Sequence, residues 1–371
     1  MSHKENSSSQ THSAPSLQGR AGGESLEGES VIKVGILGAA GYTGGELIRL
    51  LLNHPEAEIV FANSESNAGN PVADVHEGLL GESDLRFTAE IPFDAVDVLF
   101  FCFGHGKSEQ FLREHNIPDH VRIIDLAQDF RVNSQSGLHD ASRQEIKNYE
   151  LPIMNWIYGL PELNREDIRK ARCVANPGCF ATAIQLGLLP LAAAGLLTSD
   201  ISVNAITGST GAGVKPAATT HFSWRTGYLS IYKPFRHQHL AEIRQSLTQL
   251  QPGFSASIDF IPYRGDFPRG IFCTELVRLN KDISEDAVAD LYRHFYADAA
   301  FTHYIDRDID LKQVVNTNKA LVHIEKYENK LLVTSIIDNL LKGASGQALQ
   351  NMNLMFGLPE DTGLRLKPLA F

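Results

Sequence analysis

Apolar positions along this chain follow one rhythm in its first half and another in its second. Val31–Leu37 is a short β-branched run of the kind that fills a buried parallel strand. Leucines at helical spacing follow over Glu46–Leu52 and stop at His54-Pro55. Further strand-like runs occupy Glu58–Ala62, Val96–Phe103 and Val121–Leu126. Strands separated by helical segments predict an α/β unit with a parallel sheet.

Beyond this, Ala181–Leu191 is almost uniformly apolar and reads as a helix, Ile201–Thr207 as a strand and Ala241–Leu247 as a helix. β-rich stretches at 256–263, 270–278, 319–326 and 331–337 point to a largely antiparallel sheet. A terminal helix opens over Asp338–Gln347 and runs through Phe356. With 371 residues, 43 % of them apolar, the chain is long enough for two cores.

Charge and cysteine content narrow the function. A formal net charge of −11, with no stripe of Lys and Arg, argues against nucleic acid but leaves room for a small anionic substrate. Cys102, Cys173, Cys179 and Cys273 show no CxxC and no metal spacing, which fits reduced thiols in the cytoplasm. No apolar run approaches a membrane span. Residues 1–30 are rich in Ser, Gly and Glu and are expected to form a disordered tail without a secretory or transit signal.

The first strand runs into Gly38-Ala39-Ala40-Gly41-Tyr42-Thr43-Gly44. Glycines at this spacing between a strand and a helix let backbone amides approach a pyrophosphate, so a dinucleotide is expected here. The second strand ends at Ser64-Glu65-Ser66. An acid at that place suits the ribose hydroxyl of NAD, whereas small hydroxyls suit the 2′-phosphate of NADP, and these residues leave the choice open. Gly106-Lys107-Ser108 is no P-loop, because the glycine required five residues before the Gly-Lys pair is Phe101. The glycines around it are better read as a wall of the cofactor crevice. Arg131 is either a surface charge or an anion-binding group near the substrate.

Asn176-Pro177-Gly178-Cys179 places a thiol where the apolar helix begins. An ordinary cysteine near pKa 8.5 is only ~3 % thiolate at neutral pH, and a helix N-terminus favours the anion. Standing alone, the tetrapeptide would also suit a buried structural cysteine. Ser209 and Lys215, in and beside Gly208–Gly213, lie in a segment that reads either as an anion nest or as a flexible loop. His237 and His239 have no third ligand at metal spacing, so no metal is expected; a histidine paired with a reactive cysteine is the usual acid/base arrangement. Asn339 is placed either to approach a nicotinamide or to cap the last helix.

These segments together resemble the N-acetyl-γ-glutamyl-phosphate reductases, the arginine-pathway branch of the semialdehyde dehydrogenase superfamily. The resemblance rests on the glycine loop through Leu47, on Ser66-Asn-Ala-Gly69 with Asp74-Val75-His76, and on Asp125-Leu-Ala-Gln-Asp-Phe-Arg131. It continues through Tyr158-Gly-Leu-Pro-Glu162, Asn176–Thr182, Gly208–Gly213, His237-Gln-His239 with Glu242-Ile243, and Asp338–Asn351. It covers roughly residue 31 to the C-terminus. Departures are Phe180-Ala181 where the family commonly has Tyr-Pro, Glu65 where it has Arg, and Ala241 where it has Pro.

The resemblance implies a Rossmann-type dinucleotide-binding domain over residues 31–178, to which 339–371 return, and an α+β catalytic and dimerisation domain of the glyceraldehyde-3-phosphate/semialdehyde dehydrogenase type over 179–338. It implies NADPH-dependent reduction of N-acetyl-γ-glutamyl phosphate through a thioester on Cys179, with His239 as acid/base and His237 orienting substrate. Gly38, Ala40, Gly41, Tyr42, Thr43, Gly44, Ser64, Ser66 and Asn339 would then bind NADP, NAD remaining open because of Glu65. Arg131, Ser209 and Lys215 would bind substrate, and a homodimer or homotetramer is expected. Competing readings are the N-succinyl substrate, aspartate-semialdehyde dehydrogenase, a cofactor-sensing binding protein and a cysteine hydrolase.

Overall fold

In the computed structural model the described residues are 31–132, His105 apart, and 154–369; the tail expected over residues 1–30 lies outside them. The first sheet holds β1 (Ile32–Leu37), β2 (Ala57–Asn63), β3 (Phe87–Thr88), β4 (Val98–Phe101), β5 (Arg122–Asp125), β6 (Trp156–Tyr158) and β7 (Cys173–Ala175). Its strand order is β3-β2-β1-β4-β5-β7-β6, and every pairing is parallel. Helices α1 (Tyr42–Leu51), α2 (Lys107–Glu114) and α3 (Pro161–Lys170) connect these strands.

Side-chain alternation divides the strands between two cores. Val98 and Phe100 pack with Leu47 and Ile48 of α1 and Ile168 of α3, while Leu99 and Phe101 pack with Leu112 of α2. Both faces are therefore covered, which is why these strands read as continuous apolar runs. The chain reverses its winding between β1 and β4, and a crevice for ligands is expected at the carboxyl ends of strands on either side of such a point.

The apolar run predicted from Ala181 extends over α4 (Cys179–Ala193), so the thiol occupies its first turn. Strand β8 (Ile201–Thr207), helix α5 (Phe222–Arg225), β9 (Ser230–Ile231), α6 (His239–Leu250), β10 (Ile258–Arg264), β11 (Ile271–Arg278), α7 (Glu285–Phe295), β12 (Thr302–Tyr304), β13 (Ala320–Tyr327) and β14 (Lys330–Ile337) follow. The second sheet has the order β12-β13-β14-β11-β8-β10-β9. It is antiparallel except at β8–β10 and β12–β13. The β8–β10 pair is parallel because α6 lies in the crossover between them. Helix α4 is apolar on every side because it is buried against α6 and against β11 and β14.

A π turn over Leu341–Ser345 precedes the last helix, α8 (Gly346–Met355). Ala348, Leu349 and Met352 of α8 pack in the same core as α1 and α3. Helices α2, α3 and α7 were not singled out from the sequence; each buries only two or three side chains.

Candidate active site

The glycine loop offers a cradle that side chains would fill. A Cβ on Gly38, whose φ is +74°, would meet the Cys102 carbonyl at 2.8 Å, and one on Gly44 would meet the Ala39 carbonyl at 2.5 Å. The first glycine thus allows the turn and the third allows α1 to pack against the strand end. At Gly41 the only neighbour among the described residues would be the Gly38 carbonyl, at 3.6 Å, which leaves the middle of the loop room for a phosphate group. Gly41 is the N-cap of α1, and the amides of the first turn face that opening. These residues fit a dinucleotide. Ser64 and Ser66 flank Glu65 just beyond β2; Asn67 donates to both hydroxyls, at 3.0 and 3.1 Å, while Glu65 is exposed.

The thiol sits over a buried polar hub. Glu242, one turn along α6 from His239, is 2 % exposed. Its Oε2 accepts the Gly178 N–H at 2.9 Å and the Tyr158 hydroxyl at 3.0 Å, and its Oε1 lies 3.2 Å from Arg131 Nη1 and 3.9 Å from His239 Nε2. Arg131 also donates to the Leu126 carbonyl at 2.6 Å. Gln185, on the second turn of α4, donates to the Tyr158 oxygen at 2.9 Å. Gly178 is required here: a Cβ would fall 2.3 Å from His239 Nε2 and 2.8 Å from Arg131 Nη1. Gly343 of the π turn packs as closely on the other side, where an added Cβ would lie 2.9 Å from Cys179 Cβ.

The two histidines differ in setting. His237 is packed edge-on to Phe180 and Phe260, with ring centroids 5.4 Å away in each case, and its Nδ1 accepts the His239 backbone N–H at 3.2 Å. Burial pushes its pKa down to about 2, with the neighbouring His239 adding to the effect, so it is neutral. His239 Nδ1 accepts the Ala181 N–H at 3.3 Å, and its Nε2 faces Gly178.

Burial works against the thiolate that the helix N-terminus favours. Burial pushes the Cys179 thiol up to about 11, against the pull of Arg131 and of the Phe180 and Cys179 amides. The helix N-terminus works in the expected direction, but desolvation outweighs it. Asp125, at the end of β5, is pushed up to about 7 by burial. It accepts from Ser108 at 2.7 Å and from the Ala127 amide at 3.0 Å, and its second oxygen has no partner among the described residues.

Thus Cys179, His237, His239 and Arg131 come together. Arg131 is no surface charge: it is 5 % exposed. Ser209 is half-buried in a short 3-10 turn, Ser209–Ala212, pinned to the 267–270 segment through the Phe267 and Pro268 carbonyls. Lys215 is exposed, beyond the +80° φ of Gly213. Asn339 accepts the Gly270 N–H at 2.7 Å and donates to the Thr210 hydroxyl at 2.9 Å, so its amide binds loops of the second sheet. Glu242 and Gln185 were not singled out from the sequence. The spacing of Glu242 from His239 was the available signal, since residues three apart share a helix face. Among the described residues no group of three or more potential ligands could hold a metal, and no helix is long and apolar enough to cross a membrane.

Comparison with known proteins gives concordant matches. The model for "Semialdehyde dehydrogenase, NAD binding domain" matches residues 33–171, and that for "Semialdehyde dehydrogenase, dimerisation domain" matches 179–339. The N-acetyl-gamma-glutamyl-phosphate reductase of Bacteroides thetaiotaomicron is 62% identical over 92% of this chain and 100% of its own length. That of Phocaeicola vulgatus is 61% identical, and that of Flavobacterium johnsoniae 52%, over the same shares. Among solved structures, aspartate semialdehyde dehydrogenase II from Vibrio cholerae, complexed with ASA, superimposes with a TM-score of 0.63 at 15% identity, covering 88% of this chain and 99% of that one. The Candida albicans enzyme with NADP gives 0.64 at 17%, with the same coverage. These structural likenesses bear on the fold.

Proposed function

The chain belongs to the semialdehyde dehydrogenase family, with N-acetyl-γ-glutamyl-phosphate reductases as its relatives, and on that premise we propose that it reduces N-acetyl-γ-glutamyl phosphate to N-acetylglutamate 5-semialdehyde and phosphate in arginine biosynthesis. The observation that carries the chemistry is the seating of Cys179 on the first turn of α4, with His239 and Arg131 drawn against Gly178. Sulfur adds to the γ-carbonyl carbon, the bond from that carbon to the phosphate oxygen breaks, and a thioester remains. His239 relays the thiol proton to the departing phosphate. The Cys179 and Phe180 amides of the α4 first turn, which face the sulfur, stabilise the transient oxyanion. Hydride donation is the chemistry that a reduced nicotinamide supplies when bound at the glycine loop. Collapse of the resulting thiohemiacetal anion releases the aldehyde and a thiolate, which His239 reprotonates with a proton taken up from solvent.

In this reading Cys179 and His239 are catalytic, and His237 orients substrate from its aromatic cluster. Arg131, Ser209 and Lys215 contribute to anion binding. Gly38, Ala40, Gly41, Tyr42, Thr43 and Gly44 would hold the pyrophosphate, and Asn339, whose amide fixes the Gly270 and Thr210 loops, would approach the nicotinamide. The preferred cofactor is NADPH, supported by the Ser64, Ser66 and Asn67 cluster. NAD is the second reading, favoured by Glu65, and Glu65→Arg is expected to raise the NADPH preference. Residues 31–178 with 339–371 form the cofactor domain and 179–338 the catalytic domain. A homodimer or homotetramer is supported by the dimerisation-domain match and by Phe222, Trp224, Tyr228 and Leu229, which are exposed on one segment. Four free thiols support a cytoplasmic setting.

The test is phosphate-dependent oxidation of N-acetylglutamate 5-semialdehyde with NADP and NAD, beside the N-succinyl aldehyde and aspartate semialdehyde. Preference for the acetylated aldehyde supports the proposal; faster turnover of either alternative overturns it.

A further inference from the structure

Two arginines converge on Tyr232, and neither forms an ion pair among the described residues. Arg264, the last residue of β10, lays its guanidinium carbon 4.1 Å over the Tyr232 ring and forms no ion pair among the described residues. Arg225 of α5 donates through Nη2 to the Gly265 carbonyl at 2.6 Å and the Thr207 carbonyl at 3.5 Å. Its Nε is buried without a hydrogen-bond partner among the described residues. Burial and then repulsion from Arg264 lower the Arg225 pKa, and Asp266, whose carboxylate accepts the Gly227 N–H, compensates only in part.

Tyr232 connects these cations to the reaction centre. Its ring lies 5.8 Å from that of His237 and 6.4 Å from that of Phe180, the residue after the thiol. Burial and then the Cys179 charge raise its pKa. Two guanidiniums, one of them with a buried donor unpaired among the described residues, lie one aromatic ring away from Cys179 and suit an oxyanion.

We propose that Arg264 and Arg225 bind the α-carboxylate of the N-acylated substrate, with Tyr232 as the wall between that carboxylate and the reacting carbon. The proposal rests on the acyl-phosphate reading above. The phosphate is bonded to the carbon that sulfur attacks and must sit beside Cys179. The α-carboxylate lies at the far end of the methylene chain, and only it has the reach to pass the tyrosine. Substrate choice then depends on a charge contact remote from the chemistry, which raises affinity more than turnover.

The experiment is phosphate-dependent oxidation of N-acetylglutamate 5-semialdehyde and of 4-acetamidobutanal, which differs by the missing carboxylate. Wild type is expected to prefer the carboxylated aldehyde by about 30-fold in kcat/KM, the size of a charge-assisted contact. Arg264→Met, which keeps an aliphatic cover on Tyr232, is expected to lose about that factor on the carboxylated aldehyde, mainly through KM, and less than about threefold on the other. The KM for phosphate is expected to stay within about twofold of wild type, because a separate group binds it. Equal losses on both aldehydes, or a raised phosphate KM without discrimination between them, overturn the proposal. Equal use of both by wild type overturns it without any variant. Turnover of neither overturns the underlying reaction, and the proposal with it.

Discussion

Gly178 donates its backbone N–H to Glu242 Oε2 at 2.9 Å, so the loop that carries the thiol is tied to the helix that carries the histidine. The same oxygen accepts the Tyr158 hydroxyl, and the other faces Arg131. One carboxylate thereby joins β6, the loop after β5, the cysteine loop and α6. Glu242 touches none of the reacting atoms in this arrangement; it is a positioning residue.

Replacing Glu242 by Gln keeps an acceptor for Gly178 but strips Arg131 of its counter-charge. A buried ion pair broken on one side costs about 3–5 kcal/mol. Glu242→Gln is therefore expected to lower the melting temperature and to reduce kcat at least tenfold or so, the lost preorganisation adding to the lost charge. Arg131→Met combined with Glu242→Gln is expected to recover part of the stability but not the activity. Thermal melts with steady-state kinetics check this, and an additive double variant would refute the coupling.

Cys179 is expected to be the first cysteine alkylated by iodoacetamide, with activity lost in step. Burial raises its thiol to about 11, whereas Cys102 and Cys173 are raised to about 12 and Cys273, fully buried, is raised well above the usual range. Without substrate or cofactor, the alkylation rate should climb roughly tenfold per pH unit between pH 7 and 10, because thiolate is the reactive form. A plateau near pH 8 would mean that the resting thiol is activated. Peptide mapping by mass spectrometry identifies the modified residue.

His239→Asn and His237→Asn should separate in kind. Removing a general acid/base costs about 10²–10⁴ in kcat, expected at His239 with a folded protein. His237 is wedged among Phe180, Tyr232 and Phe260, so its loss should appear first as a lower melting temperature. If His237→Asn abolishes turnover without lowering stability while His239→Asn is active, the two roles are exchanged.

Asp125 gives a pH dependence of stability whose sign follows from its raised pKa. In the folded chain it is pushed from 3.8 up to about 7 by burial, so it holds its proton where the unfolded chain has lost it. Its contribution is therefore full below about pH 4 and declines as pH rises to about 7. Between pH 5 and 8 this amounts to about 3 kcal/mol for one fully buried group. Asp125→Asn, which cannot titrate, should gain on wild type by about that amount over the same interval. Denaturant unfolding at the two pH values measures it; parallel curves would show that the second oxygen of Asp125 finds a partner.

Covalent pattern alone made much of this molecule legible. A β-branched run followed by glycines and then leucines at helical spacing can only fold as strand, turn and helix, because the glycines satisfy backbone needs that no other residue meets. The thiol at the head of an all-apolar helix was readable for the same local reason. Distant packing decided the rest. Arg131 could have been a surface charge until the fold carried it to Glu242, across 111 residues of sequence. Burial raises the Cys179 thiol because desolvation depends on what surrounds it in space, and no local spacing records that. The second sheet carries two parallel pairs for the same reason, since partner and direction are set by how α6 and β12 pack and not by the alternation within a strand.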